Sequence, residues 1–299
     1  MEELLARATP LVTPWESLLS TDQVGIVVKP DSALAERVAI RAVRALKELD
    51  ARIYVEKDTA EAYPSLSVYP VFTLDNPPEK LVVIGGDGTL LRTFMKMRDP
   101  SSSVVMAVRA GKRGFLLDVE SYEVEERIED FMNGEYREVV YPRLQANYPG
   151  GSICVLNDAV LVMDKAKLVR LAVYVGGERI MGIDGDGLII STTVGSTAYS
   201  LSSGGPIIDP NLQVIVLTPL NPVQLYLRPI VLPLEAVVDV EVKQNSNPLW
   251  IVLDGQEVHP LRPGDTVSVR VCDSRVRLAR FRWWENYYER LYTRVFSYL

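Results

Sequence analysis

The chain has 299 residues, 47% hydrophobic and 24% charged, with a formal net charge of −7. Such a composition belongs to a globular protein, and the length accommodates one large domain or two modest ones, two being the expectation. The acidic balance excludes a general attraction to nucleic acid or to an anionic membrane, so a phosphate-bearing ligand must be held by local donors, which suits a small nucleotide better than DNA.

The opening MEELLARATPLVTPWESLL carries acids where a secretion signal carries bases, and no apolar run reaches membrane-spanning length, so a cytoplasmic location is expected. Strand and helix then alternate. VGIVVK (24–29) reads as a strand, and residues 32–49 follow with apolar side chains at helical spacing and Asp31 as the candidate N-cap. ARIYVEK (51–57) and LVVIGG (81–86) are strands, TLLRTFMKMR (89–98) a helix, SVVMAVRAG (103–111) a strand and SYEVEERIEDFMNGE (121–135) a helix. This alternation predicts a parallel sheet with crossover helices, a Rossmann-like α/β domain over residues 1–140.

After Tyr141 the rhythm changes to strands separated by turns. These are ICVLNDAVLVM, LVRLAVYV, ERIMGI, GLIIST, LQVIVLTPL, AVVDVEVK, LWIVLDG, DTVSVRVC and RVRLARF. Gly176-Gly177 and Asp254-Gly255 are hairpin signals. A β-rich, β-sandwich-like domain is expected over 141–280, and WWENYYERLYTRVFSYL, within 281–299, reads as a helix returning to the first domain. Cys154 and Cys272 each lie inside an apolar stretch and read as two buried thiols. The single histidine, His259, lies in the turn-rich VHPLRPGD and reads as a surface or turn residue rather than a catalytic one.

Four segments carry candidate chemistry. In VVIGGDGTLLR (82–92) a buried strand runs into Gly85, Gly86 and Gly88, whose uncovered amides precede a helix starting near Thr89; the helix dipole there suits a polyphosphate. Asp87 among these glycines would repel phosphate unless it faces a hydroxyl or a metal ion, the arrangement that phosphoryl transfer needs. Arg92 adds a positive charge one turn on. The bend has neither the lysine of a P-loop nor the spacing of GxGxxG, and a tight Asp-Gly turn is the plain alternative. The second segment, DGLIISTTVGSTAYSLSSGGP (186–206), offers the hydroxyls of Ser196, Thr197 and Ser202, small residues that admit a ligand to the backbone, and the ring of Tyr199 for a base to stack on. Asn157-Asp158 interrupts an apolar strand and must bond a bulge or reach into a site. The fourth, Asp254-Gly255-Gln256, reads first as a hairpin turn.

Taken in order, GGDGT, ND, the long DGLIISTTVGSTAYSLSSGGP segment, LTPLNP, RPIVLP and DGQ resemble the NAD kinase family over most of the chain. The resemblance implies transfer of a phosphoryl group from ATP, or in some members inorganic polyphosphate, to the 2′-hydroxyl of the adenosine ribose of NAD. It implies Mg²⁺ or another divalent cation, the two-domain fold, and a homodimer or homotetramer. Carried over by residue, Asp87 matches the family's proton acceptor, with Gly88 beside the nucleotide. Asn157 and Asp158 match the pair that holds ribose and base, and Asp186 would lie by the nicotinamide. Thr197, Ala198, Tyr199 and Ser202 would line the dinucleotide pocket, with Arg92 and Gln256 as weaker matches. The sequence departs from the family at Asp158, Asp184, Val194 and Arg109, where many relatives have Glu, a base, Thr or Ser, and Asn. Lipid or sugar kinases also carry GGDG, and a non-catalytic dinucleotide-binding module is a further alternative; the long GSTAYSLSSGGP segment argues against the first two.

Overall fold

The computed structural model describes residues 23–111, 114–281, 288 and 291. In the first domain the strands are β1 (Gln23–Val28), β2 (Arg52–Glu56), β3 (Val71–Phe72), β4 (Lys80–Gly85), β5 (Val104–Arg109), β6 (Val119–Glu120) and β7 (Arg137–Tyr141). Between them run α1 (Ala33–Glu48), α2 (Lys57–Ala62), α3 (Asp87–Lys96) and α4 (Val124–Asn133). The expected alternation of strand and helix is present. α1 is capped by Ser32, whose hydroxyl accepts from Ala35 N at 3.2 Å, and not by Asp31. Asp31 adopts a positive φ of 54°, which turns the chain so that the next residue takes the extended conformation a cap requires.

The second domain contains β8 (Leu144–Tyr148), β9 (Gly151–Val155), β10 (Asp158–Met163), β11 (Val169–Val175), β12 (Glu178–Gly185), β13 (Gly187–Thr192), the short α5 (Tyr199–Ser202), β14 (Val214–Leu220), β15 (Ile230–Pro233), β16 (Val238–Val242), β17 (Leu249–Leu253), β18 (Glu257–Leu261) and β19 (Thr266–Val271). They form two sheets of six strands, ordered β15-β14-β13-β10-β17-β18 and β12-β11-β16-β19-β8-β9. Inward residues of both, among them Leu144, Leu171, Val240 and Val267 from one sheet and Leu161, Ile190, Leu217 and Ile251 from the other, make a single apolar core, as in a β-sandwich. The Gly176-Gly177 hairpin joins β11 to β12 with φ of 58° and 85°, the positive values such a turn demands.

RVRLARF, expected among the strands of the second domain, returns to the first. As β20 (Val276–Arg280) it lies between β5 and β7, parallel to one and antiparallel to the other, giving the order β3-β2-β1-β4-β5-β20-β7 with β6 paired to β5. The direction of the order reverses between β1 and β4, so the crevice outside their carboxyl ends is where a ligand is expected in such a sheet. Residues 281–299, expected as a returning helix, lie almost wholly outside the described residues. No helix among the described residues is long and apolar enough to cross a membrane.

Two crossovers connect the domains, β7 to β8 and β19 to β20, and Arg143 ties them together. Its buried guanidinium donates to the hydroxyl and the carbonyl of Ser274 and to Phe94 O of α3, while Arg143 O accepts from Cys272 N at 2.8 Å. The reading of two free thiols is corrected here: Cys154 and Cys272 form a disulfide, with Cα atoms 6.1 Å apart. Their apolar flanks are strands β9 and β19, and the neighbouring strand β8 brings the two ends together, which neither stretch alone reveals. The bridge spans a sequence separation of 118 residues. Replacing both cysteines with serine is expected to lower the unfolding free energy by about 3–5 kcal/mol, the order of a loop constraint of this length. Guanidinium unfolding with and without reductant measures it, and equal midpoints would show that the bridge contributes nothing.

Candidate functional site

The GGDG bend lies where β4 becomes α3. Gly86 is extended at φ −127° and its amide donates to Thr89 Oγ1 at 3.4 Å. Asp87 is the first helical residue. Its side chain does not point at the glycine amides but accepts two hydrogen bonds from the segment after β5, from Phe115 N to Oδ2 at 2.8 Å and from Leu116 N to Oδ1 at 2.9 Å. Each oxygen keeps a second lone pair for another partner. The segment is itself fixed by β20. The Arg280 guanidinium, 1% exposed, donates to Leu116 O at 2.6 Å, and Phe281 N donates to Asp118 at 2.7 Å. Arg280 and Asp118 escape a sequence reading because β20 reads as part of the other domain.

A cavity of about 310 Å³ opens outside β1 and β4. Gly86, Gly88, Thr89 and Arg92 line it, as does Gln256 from the second domain. Gly85 does not. It is the buried end of β4, and a side chain there would collide with Thr89 Oγ1 at 2.4 Å. Two lysines the motif lacks enter from elsewhere: Lys29 at the end of β1, and Lys96 on α3, which pairs with Asp58 at 2.7 Å. Arg92 Nε donates to Gln256 Oε1 at 3.4 Å, a contact between the two domains. A larger cavity of about 650 Å³ continues along α3, lined by Arg92, Lys96, Arg98 and Arg143.

A third cavity, of about 360 Å³, lies on the face of β10 and β17. Asn157, Asp158, Ala198 and Tyr199 line it together with Val160, Val162 and Val252, and with Asp254 and Gly255. The expected polar interruption of a strand proves to be the corner between β9 and β10. Its three successive amides, Leu156, Asn157 and Asp158, donate to the Asp254 carboxylate at 2.7, 2.7 and 3.0 Å, and Asp254 N returns a bond to Asp158 O at 3.0 Å. The other side of the corner is held by Thr192, whose hydroxyl donates to Leu156 O at 2.6 Å and whose amide donates to Asn157 O at 2.9 Å. Gly195 packs against the same place, where a Cβ would lie 2.0 Å from Asn157 O. Asp254 also makes the hairpin turn expected of DGQ, with φ of 49° followed by 63° at Gly255. The turn therefore has a second task. Asn157 Oδ1 is buried with no hydrogen-bond partner, in the wall of this cavity.

Asp158 and Asp254 are both 6% exposed. Burial pushes Asp158 up to about 7 and the neighbouring Asp254 carboxylate adds to the effect. Asp254 is pushed up to about 6 by burial, opposed by its three amide donors and by Arg143. Arg143 is in turn held below its ordinary value by burial, offset by Asp254 and Asp99.

Other expected site residues are more dispersed. Thr197 lines a small cavity with Phe115, Leu116, Val194 and Arg280, against the segment that grips Asp87. Ser202 is exposed at the end of α5. Asp186 sits in the turn between β12 and β13, beside the far end of β10, and accepts from Asn221 Nδ2 at 2.8 Å. Neither lines the cavity of Asn157 and Asp158. Of the departures from the family pattern, Arg109 makes a two-pronged pair with Glu120, which ties β5 to β6. Val194 packs on the first domain's core, and Asp184 bonds the 223–224 loop through its backbone. His259 is a strand residue of β18, its ring 4.9 Å from that of Tyr148, rather than a turn residue.

Two family models match, the ATP-NAD kinase N-terminal domain over residues 24–136 and the ATP-NAD kinase C-terminal domain over residues 156–281. The chain belongs to the NAD kinase family. It is 54% identical to an NAD kinase of Aeropyrum pernix, over 92% of this chain and 98% of that one, and 31% identical to one of Thermococcus gammatolerans, over 86% and 93%. Among solved structures the fold resembles yeast NADH kinase complexed with NADH, with a TM-score of 0.82, 24% identity and coverage of 93% and 88%. It also resembles an Archaeoglobus fulgidus NAD kinase in complex with ATP, with a TM-score of 0.73, 22% identity and coverage of 90% and 98%.

The carboxyl pair gives this NAD kinase family member a distinctive pH response. Asp158 moves from an ordinary value of 3.8 to about 7 on folding, so folding takes up a proton in that window and stability falls as pH rises through it. Asp158→Asn is expected to gain on the parent by about 2 kcal/mol between pH 5 and pH 8. Denaturant midpoints at the two pH values measure this, and a constant difference would remove the buried acid from the balance.

Proposed function

We propose that the protein phosphorylates the 2′-hydroxyl of the adenosine ribose of NAD, with ATP as donor and inorganic polyphosphate as an alternative donor. The observation that supports it most is that the two cavities share one turn: Asp254 and Gly255 line one, and Gln256 lines the other. One cavity borders the GGDG bend and carries Lys29, Arg92 and Lys96 against Glu56 and Asp58, a positive excess that suits a donor triphosphate. The other is apolar with a few polar groups, as a nucleoside requires.

In this reading Tyr199, with 47% of its surface exposed, stacks on the adenine, and Asn157 Oδ1 accepts from a ribose hydroxyl, which removes its buried debt. Asp158 and Ala198 complete the pocket, and Thr197 supports the segment beside it. Asp186 and Ser202 reach the ligand only at its outer end. Gly86, Gly88 and Thr89 border the donor phosphates, and Lys29, Arg92 and Lys96 offset their charge. Asp87, gripped by the amides of Phe115 and Leu116, accepts the proton of the 2′-hydroxyl. The hydroxyl oxygen bonds to the terminal phosphorus while the bond from that phosphorus to the bridging oxygen breaks, leaving ADP. The described residues hold no cluster of three metal-ligating side chains. Mg²⁺ carried on the donor phosphates would neutralise their charge.

Asp87→Asn is expected to lower kcat at least about a hundredfold, as loss of a general base does, while NAD binding by calorimetry stays within threefold. Turnover near that of the parent would remove Asp87 from its role. The cations along α3 extend past the donor cavity into that of Arg98 and Arg143, so a phosphate chain longer than that of ATP has a place to continue. Arg98→Glu is expected to raise the KM for polyphosphate several-fold and to leave that for ATP unchanged, in NADP formation measured side by side. Location in the cytoplasm and assembly into a homodimer or homotetramer belong to the same proposal. The loop after β14, where Val223, Leu225 and Tyr226 are 62%, 88% and 78% exposed, supports the assembly, since such apolar groups favour a partner.

A further inference from the structure

The DGQ segment lines both cavities, and the side chain of its first residue is among the most heavily bonded side chains described. We infer that Asp254 is the positioning residue of the dinucleotide subsite, fixing through three backbone amides the corner that presents Asn157 and Asp158. This rests on the proposed reading of the Asn157 cavity as the NAD subsite.

Three consecutive amides that converge on one carboxylate form a concave arc of the kind that binds an anion. Asp254 supplies that anion from a neighbouring strand. Oδ1 accepts from Asn157 and Asp158 and Oδ2 from Leu156, all within 3.0 Å. An acceptor-only group is needed, because any donor on it would face an N–H. Asparagine in its place keeps one oxygen and turns an NH₂ towards an amide that has no other partner. Opposite, Thr192 grips the same corner by Leu156 O and Asn157 O, and its hydroxyl accepts from Gly195 N at 3.0 Å. The ND corner, the DGQ turn and the GST segment thus meet at one point although they are far apart in sequence. Arg143 acts on the Asp254 charge while its guanidinium donates to Ser274 and to Phe94 O. With its oxygens taken by amides, Asp254 acts on the ligand through Asn157 and Asp158.

The test compares Asp254→Asn, Asp254→Ala and Thr192→Val in the full-length protein. Expected are an NAD KM raised about tenfold in Asp254→Asn and Thr192→Val, the equivalent of one hydrogen bond's contribution, and about a hundredfold in Asp254→Ala. The KM for ATP should stay within twofold in all three. Should the alanine variant fail to fold, the other two carry the comparison. An NAD KM within twofold of the parent, or NAD and ATP KM values rising together, overturns the inference, because a merely structural loss does not single out one substrate. If the parent itself does not phosphorylate NAD, the functional reading fails instead. NAD affinity measured by calorimetry on the same variants then still decides the role of Asp254.

Discussion

One buried carboxylate with three amide donors sets the geometry of the second domain's ligand face. Burying a charge is costly, and a lone carboxylate at this depth would take up a proton instead. Asp254 resists that because Leu156 N, Asn157 N and Asp158 N all donate to it and Arg143 lies near enough to act on it. The neighbour is the group that yields. Asp158 has no comparable set of donors, so the shared field and its burial raise it further. Burial raises both acids, and the amide donors and Arg143 oppose that rise at Asp254.

The same reasoning extends to the junction between the domains. Chain continuity alone would leave the two halves joined by flexible crossovers. Instead Arg143 bonds Ser274 across them and reaches Phe94 O on α3, the helix that begins with Asp87. The Cys154–Cys272 bridge closes the adjacent strand ends. On the far side, β20 passes back into the first sheet and delivers Arg280 to Leu116 O, whose own amide holds Asp87. The acid proposed for the chemistry is therefore oriented by a strand that arrives from the other domain. A separately folding first domain ending near Tyr141 would lack both β20 and that orientation.

What the sequence makes legible and what it hides follow from the range of the interactions. The alternation of the first half, the hairpins at Gly176-Gly177 and Asp254-Gly255, and the β-rich second half are local patterns, and each appears in the structure. Asn157, Asp158, Ala198 and Tyr199 meet as their motifs imply, and Gly86, Gly88, Thr89 and Arg92 border one cavity. The misses are long-range. The swing of β20 into the first sheet, the disulfide, and the approach of Lys29 to the bend all depend on which strands become neighbours. Asp31, expected as the cap, yields to Ser32, since the positive φ at position 31 is not written in composition. Asp254 was legible as a turn residue but not as an acceptor, since its donors lie 96 to 98 residues away.

An acid between glycines now has a physical account. Gly86 and Gly88 line the cavity without side chains of their own, and Gln256 lies beside Gly88. Asp87, between them, does not line the cavity, because the amides of Phe115 and Leu116 hold its carboxylate on the side of the segment after β5. Gln256 crosses from the DGQ turn to Arg92 beside Gly88. Net acidity is then no obstacle to handling polyphosphates. The chain carries a net −7, whereas Lys29, Arg92 and Lys96, set against Glu56 and Asp58, leave a local positive excess along the cavity beside the bend.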